Sequence, residues 1–186
     1  MLILASQSPR RQALLKAMDL DFQVMTNSVD ETFPNDIPVE NVAEYLAEKK
    51  ADAFDFAELP TDSKLVTCDT VVIMDHEILG KPQNFDDAFG MLKKLSGRQH
   101  TVVTGVCIKT KTEKKLFSET TFVHFKPLTD QQIRYYVDTY QPYDKAGGYG
   151  IQDWIGLVGI DKIEGCYYNV MGLPASQLAT KLRELG

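Results

Sequence analysis

The chain opens on an apolar run, Leu2–Ala5, bounded by polar residues, and that pattern predicts a short buried strand. Pro9 suits the first turn of a helix, and Ser6 or Ser8 can cap it, so a helix over Pro9–Met18 follows a tight loop. Its inner face is expected from Ala13, Leu14, Ala17 and Met18, broadened by Leu15. A short strand at Phe22–Met25 and an acidic loop at Asp30-Glu31 come next. A second helix runs from about Pro38 to Phe54 on Val39, Val42, Ala43, Leu46 and Ala53, with Lys50 occupying a gap in that stripe. Leu65–Met74 is the clearest strand, and Asp75-His76-Glu77 reads as a turn leading through Ile78-Leu79 to Gly80-Lys81-Pro82.

Asn84 caps a third helix on Phe85, Ala88, Phe89, Leu92 and Leu95, with Gly97 as its stop. His100–Lys109 and Lys115–Lys126 form an antiparallel pair through a turn near Lys111–Glu113. A capping box at Thr129–Gln132 opens a helix with Ile133, Tyr136, Val137 and Tyr140 inward, and Pro142 ends it. A glycine-rich loop over Asp144–Gln152, a strand near Leu157–Ile160, the Gly165–Val170 segment and a last helix after Pro174 close the chain.

At 186 residues this is one domain, 1–186, of ordinary globular composition, 44% hydrophobic and 25% charged. A net charge of −6 argues against a general nucleic-acid or anionic-membrane binder. Any anionic ligand must therefore meet a local cluster of Lys and Arg. Three scattered cysteines, Cys68, Cys107 and Cys166, fit a reduced interior better than a disulfide framework or zinc site. No stretch could span a membrane, and the opening apolar run is too short for a signal peptide, so a cytoplasmic protein is expected.

Four places carry unusual charge. Arg10 and Arg11 lie in a helix's first turn, where cations oppose the dipole by roughly 0.3–1 kcal/mol each. A bound polyphosphate would supply a reason, since a helix start offers free N–H groups to anions; two solvated arginines would read alike. Asp69 sits inside a Val/Ile-rich strand, where an ionised carboxylate costs several kcal/mol unless it is compensated. Lys50, on an inward stripe, either snorkels to the rim or enters a polar site. Lys81 follows a glycine that permits close backbone approach, though an exposed turn lysine fits equally. No GxxxxGK[ST], GxGxxG, HExxH or GxSxG pattern occurs, and His76, His100 and His124 are scattered singly, as structural histidines usually are.

In order along the chain stand SxSPRR, Asp30-Glu31, CDTVV, GKP, LSGR with HTxxTGV, DKAGxYGIQ and EGxYxNVMGLP. Together they resemble the Maf family of nucleotide pyrophosphatases, historically linked to septum formation. The resemblance implies an α/β fold, three-layer α/β/α around a twisted mixed sheet, with two lobes and a cleft. It also implies metal-dependent hydrolysis of nucleoside triphosphates to monophosphate and pyrophosphate, often by homodimers, as nucleotide-pool house-cleaning linked to cell division. Carried over residue by residue, it makes Asp69 the base and Arg10, Lys50 and Lys81 the phosphate-side cations. Glu31 becomes the acidic loop residue. Arg11, Thr70 and Gln152 are the combination of the dTTP/UTP branch rather than the 7-methyl-GTP branch. The chain departs from the pattern at Gly148, where alanine is common, and at Asp153-Trp154, where glycine is usual.

The expected chemistry follows. Arg10, Lys50, Lys81, Ser6, Ser8 and the first helix's N–H groups would compensate the phosphates. Mg²⁺ or Mn²⁺ would be held by Glu31, Asp69 and the phosphates themselves. Asp69 would deprotonate a water aimed at the α-phosphorus, while Gln152, with Arg11 and Thr70, would read the thymine or uracil edge. A 7-methyl-GTP or other modified-nucleotide pyrophosphatase, and a non-enzymatic nucleotide-binding regulator of septum formation, are the alternatives.

Overall fold

The structure, a computed structural model, describes residues 1–185; Gly186 lies outside the described residues. Its elements in chain order are β1 (Leu2–Leu4), α1 (Pro9–Ala17), β2 (Phe22–Val24), α2 (Val42–Asp52), β3 (Lys64–Met74), β4 (Glu77–Leu79) and α3 (Phe85–Leu95). Then come β5 (Gln99–Lys109), β6 (Lys114–Phe125), α4 (Asp130–Tyr140), α5 (Trp154–Gly159), β7 (Ile160–Glu164), α6 (Tyr167–Val170) and α7 (Ala175–Glu184). The seven strands form one mixed sheet in the order β2-β1-β3-β5-β6-β7, with β4 beside β3. β1 pairs parallel with both β2 and β3, whereas β4 on β3 and β7 on β6 are antiparallel. The α/β class and the mixed sheet expected from the resemblance are thus present. No helix of the described residues is long and apolar enough to cross a membrane.

The chain divides into two compact units, whose boundaries cut the three longest strands between Asp69 and Thr70, Val103 and Thr104, and Glu119 and Thr120. The first unit comprises 1–69, 104–119 and 172–186. Its core packs Ile3, Ala47, Ala51, Leu59, Leu65 and Cys107, so the inner faces of β1, α2 and β3 meet there. Chain order and strand order disagree usefully in this unit. From β1 the chain passes through α1 to β2 on one side, then returns through α2 to β3 on the other side of β1. Such a reversal between parallel strands is where α/β sheets place ligands, just beyond the strands' carboxyl ends.

The second unit comprises 70–103 and 120–171. Its core includes Val72, Leu92, Val102, Phe125, Ile133, Tyr136, Tyr149 and Ile155. The two-residue turn from β3 to β4 uses Asp75 (φ 52) and His76 (φ 62), the left-handed pair that a tight hairpin needs.

Four expectations need correction. The segment expected as a strand near Leu157–Ile160 is the end of α5, and β7 starts only at Ile160. Its apolar residues are not alternately buried: Leu157 is 83% exposed. At Gly156 the chain turns so tightly that a Cβ would fall on the Ile151 carbonyl, which an extended strand could not do. Ala13 and Ala17 of α1 are exposed; the helix is only 9 residues long and buries Leu14 and Leu15 rather than a full stripe. Tyr140 is 39% exposed; as the last residue of α4 it stacks on Tyr136 from outside the core. The second helix opens as a 3-10 turn, Val39–Asn41, and is α-helical only from Val42.

His100 illustrates how tightly the second unit is packed. It is 2% exposed, stacked on Phe125, and within 2.6 Å of the Tyr149 hydroxyl through Nε2, while Nδ1 has no partner. Burial pulls its pKa down to about 3, so the ring is neutral when folded. The unfolded chain takes up that proton near pH 6.5, and stability therefore falls as pH drops below that value. We expect unfolding free energy to decline between pH 6.5 and 5 with a His100 contribution approaching about 1.4 kcal/mol per pH unit. In His100→Gln that part of the slope disappears. Denaturant melts at several pH values check this, and an unchanged slope would refute it.

Candidate active site

The site is built from the carboxyl ends of the first unit's parallel strands. β1 ends at Leu4, pairs through Leu4 with Val66, and is extended by the bond from Ala5 N to Val66 O at 2.8 Å. The loop that follows is tied to itself: Ser6 Oγ accepts from Ser8 N at 3.2 Å, and Ser8 Oγ accepts from Arg11 N at 3.5 Å, capping α1. Pro9 takes the first helical position as its sequence demands, which places Arg10 and Arg11 in the first turn. The Arg11 guanidinium is anchored on two sides, Nε donating to Gly172 O at 2.8 Å and Nη1 to Ser6 Oγ at 3.3 Å. Gly172 belongs to the NVMGLP stretch, which thereby acquires a physical role: its carbonyl aims an arginine.

β3 continues past Val66 into Thr67, Cys68 and Asp69. Its interior is buried apart from one interruption, where Asp69 and Thr70 are half-buried. Consecutive strand residues point to opposite faces, so the strand's cover is relieved on both faces at one level. Asp69 is compensated as its position requires. Oδ1 accepts from Lys50 Nζ at 2.5 Å, and the same ammonium meets Glu31 Oε1 at 2.8 Å. The side chains of Lys50 and Asp69 are only 17% and 14% exposed, against 53% for Glu31, so the inner pair is shielded and the outer acid is not. Lys50 thus enters a polar site rather than snorkelling outward. Cys68, the residue before Asp69, has a thiol that feels the charges of both Arg11 and Lys50; burial dominates and raises its pKa to about 11, so it stays protonated. A thiolate nucleophile is thereby excluded at neutral pH.

Two residues that carry no charge of their own hold this geometry. Thr67 Oγ1, fully buried, donates to Ala47 O at 2.5 Å. Thr67 lies two residues before Asp69 on the same strand face, and Ala47 lies about one turn before Lys50 on α2, so this bond fixes the register of helix against strand. A threonine amid valines, two residues before a buried acid, was the available signal. Gly105 is the second. A Cβ there would fall on Glu44 N and the Ala43 carbonyl, so glycine lets α2 lie with its backbone against β5.

The remaining expected residues lie in the second unit. Lys81 is exposed; the Gly80 carbonyl beside it accepts from Gly147 N at 3.0 Å, tying the GKP turn to the glycine-rich loop. Gln152, at the far end of that loop, is also exposed. Among the described residues, no group of three or more His, Cys, Asp or Glu could hold a metal ion.

The arrangement offers a helix start with two arginines, a shielded lysine–carboxylate pair and a more exposed second carboxylate. Such a set can bind an anion, activate a water, and share a cation with a bound phosphate. Against families of known proteins, residues 1–185 match the one described as "Maf-like protein". The dTTP/UTP pyrophosphatase of Flavobacterium psychrophilum is 50% identical over 177 residues, covering 95% of this chain and 90% of that one. That of Porphyromonas gingivalis is 48% identical over 187 residues, covering 100% and 94%. That of Bacteroides thetaiotaomicron is 45% identical over 185 residues, covering 99% and 95%. Among solved structures, the Staphylococcus aureus Ham1 protein aligns at a TM-score of 0.45 and 17% identity over 67% of this chain and 71% of that one; a likeness so slight decides nothing.

Gly105→Ala tests the scaffold beneath the pair. The added methyl has only backbone to displace, so α2 must move, at a cost of about 1–3 kcal/mol of stability. A lowered thermal midpoint is expected, with Lys50 shifted from Asp69 in a structure of the variant. A variant as stable as the parent would refute the packing described.

Proposed function

Because the chain belongs to the Maf-like protein family, we propose that it is a nucleoside triphosphate pyrophosphatase, cleaving dTTP and UTP to the monophosphate and pyrophosphate. The observation that carries the reading is the shielded Lys50–Asp69 pair at 2.5 Å, beside the N-terminal turn of α1. The relatives' shared name, dTTP/UTP pyrophosphatase, supports the substrate. The reading treats 1–186 as one catalytic domain acting in the cytoplasm as a homodimer, as the resemblance implies.

A nucleoside triphosphate brings close to four negative charges to a protein whose own net charge is −6. Long-range attraction cannot bring it in; binding depends on local compensation. Arg10 and the first N–H groups of α1 supply it at one end, and Lys50 at the reacting end. Ser6 and Ser8 preorganise that loop and offer hydroxyls to phosphate oxygens. Lys81 adds a further cation on the resemblance.

Glu31 and Asp69 converge on one ammonium without a third acidic, histidine or cysteine partner among the described residues. Two carboxylates are too few to cage a metal alone, but with phosphate oxygens and water they make the set that Mg²⁺ ordinarily takes. The residues therefore fit a divalent cation, Mg²⁺ or Mn²⁺, that arrives with the nucleotide, with Glu31 and Asp69 as its protein ligands. When bound, it neutralises charge gathering on the leaving pyrophosphate.

Asp69 takes the proton of the attacking water at its carboxylate, and the bond from Lys50 keeps that carboxylate oriented in its strand. The attack is on the α-phosphorus. Gln152 presents a donor and an acceptor in one amide, matching thymine or uracil and leaving cytosine partly unpaired; the family resemblance adds Arg11 and Thr70 as specificity residues.

Asp69→Asn keeps the shape and removes the base, so we expect kcat for dTTP to fall by about 10²–10⁴ with KM little changed. Steady-state kinetics of pyrophosphate release check this; near-parental turnover would remove Asp69 from the mechanism. In a panel of nucleotides, dTTP and UTP should give the highest kcat/KM. Fastest hydrolysis of dCTP, or of a purine nucleotide such as 7-methyl-GTP, would overturn the substrate assignment.

A further inference from the structure

Gln152 is an exposed residue in a glycine-rich loop, and an amide that discriminates bases must be held still. The second unit holds it from α4. Tyr136, fully buried on that helix, donates its hydroxyl to Asp153 Oδ2 at 2.7 Å. The same hydroxyl accepts from Gly150 N at 3.0 Å. One oxygen therefore grips the chain on both sides of Gln152, two residues before it and one after. Gly150 makes room for this: a Cβ there would stand 2.6 Å from Asp153 Oδ2 and 2.9 Å from Gln152 Nε2, so the carboxylate and the amide share the space above it. Trp154, the next residue, packs edge-on against Tyr135 with ring centroids 4.8 Å apart. Asp153 and Trp154 are thus the two residues docked on successive tyrosines of α4.

We propose that Tyr136 and Asp153 are positioning residues for base selection, their hydrogen bond fixing the segment 150–153 so that the Gln152 amide meets a pyrimidine edge in one orientation. The inference rests on the proposed role of Gln152. Burial, and then the bond to the Asp153 carboxylate, raise the pKa of the Tyr136 phenol, so the hydroxyl remains a donor across the physiological range. Lys145 stands 4.0 Å from the same carboxylate, a second group facing the acceptor.

The test is the ratio of kcat/KM for dTTP to that for dCTP. Tyr136→Phe keeps the ring and its packing and removes only the hydroxyl. We expect the ratio to fall at least tenfold, through a higher KM for dTTP, while kcat for dTTP changes less than threefold. Asp153→Ala should lower the ratio likewise, whereas Asp153→Asn, which keeps an acceptor for the phenol, should restore it to within threefold of the parent. A merely structural bond would lower stability and leave the ratio unmoved. Gln152→Ala is run alongside. If it loses the preference while Tyr136→Phe and Asp153→Ala both keep it, the positioning role is wrong and the reading of Gln152 stands. If Gln152→Ala keeps the preference, that reading fails and the positioning role falls with it. Should Tyr136→Phe not fold, the Asp153→Ala and Asp153→Asn pair separates the same outcomes.

Discussion

A carboxylate placed in the middle of a strand whose neighbours are buried on both faces has to be compensated, or the strand would not stay in the sheet. Asp69 meets that condition through Lys50, an ammonium brought from a separate helix at 2.5 Å. Much of the first unit's construction answers to this requirement. The helix must lie close enough for a lysine to reach the strand, and Gly105 removes the side chain that would hold it away. It must lie in the right register, and Thr67 fixes that by bonding the Ala47 carbonyl. It must also follow a parallel strand in the order that leaves β1 between β2 and β3, so that the opening loop and β3 run out at the same end.

The contacts of the opening loop account for the second of the two arginines. In an isolated helix, Arg10 and Arg11 would oppose the macrodipole. Here Arg11 is recruited away from the helix axis by the Gly172 carbonyl and the Ser6 hydroxyl, so its charge is set beside the loop rather than against the helix start. Accumulating cations and backbone N–H groups at one strand end, in a protein of net charge −6, makes an anion site by local geometry alone.

The strands of the first unit, the long apolar β3 and the caps of α1, α3 and α4 could be read directly, because each is written in a local period or a local pair: Ser8 with Arg11 N, Asn84 with Asp87 N, Thr129 with Gln132. The oddity of Asp69 was also legible, since a charge in a Val/Ile run announces its own cost. Its partner was not. Lys50 appeared only as a gap in a helical stripe, and a gap does not say what it faces. The partners of Thr67, Gly105 and Tyr136 were silent for the same reason: each acts across a long sequence separation on a backbone atom or carboxylate that no local pattern names. The strand expected at Leu157–Ile160 failed through composition, since an apolar run with two glycines supports a short exposed helix as well as a strand, and only the tight turn at Gly156 decides between them. The resemblance to a family grouped Lys50 with Arg10 and Lys81 as phosphate-side cations, and the bond from Lys50 to Asp69 emerges only from the structure.

Lys50 and Asp69, on this reading, act as one chemical unit and not as two independent contributors. Coupling between them measures this most directly, through kcat for dTTP in Lys50→Met, Asp69→Asn and the double variant. Strong non-additivity is expected, with the double variant within about threefold of the slower single variant, because removing either member already disables the pair. If instead the two losses multiply in the double variant, the residues work separately, and the pair is an ion bridge of the scaffold rather than the centre of the reaction.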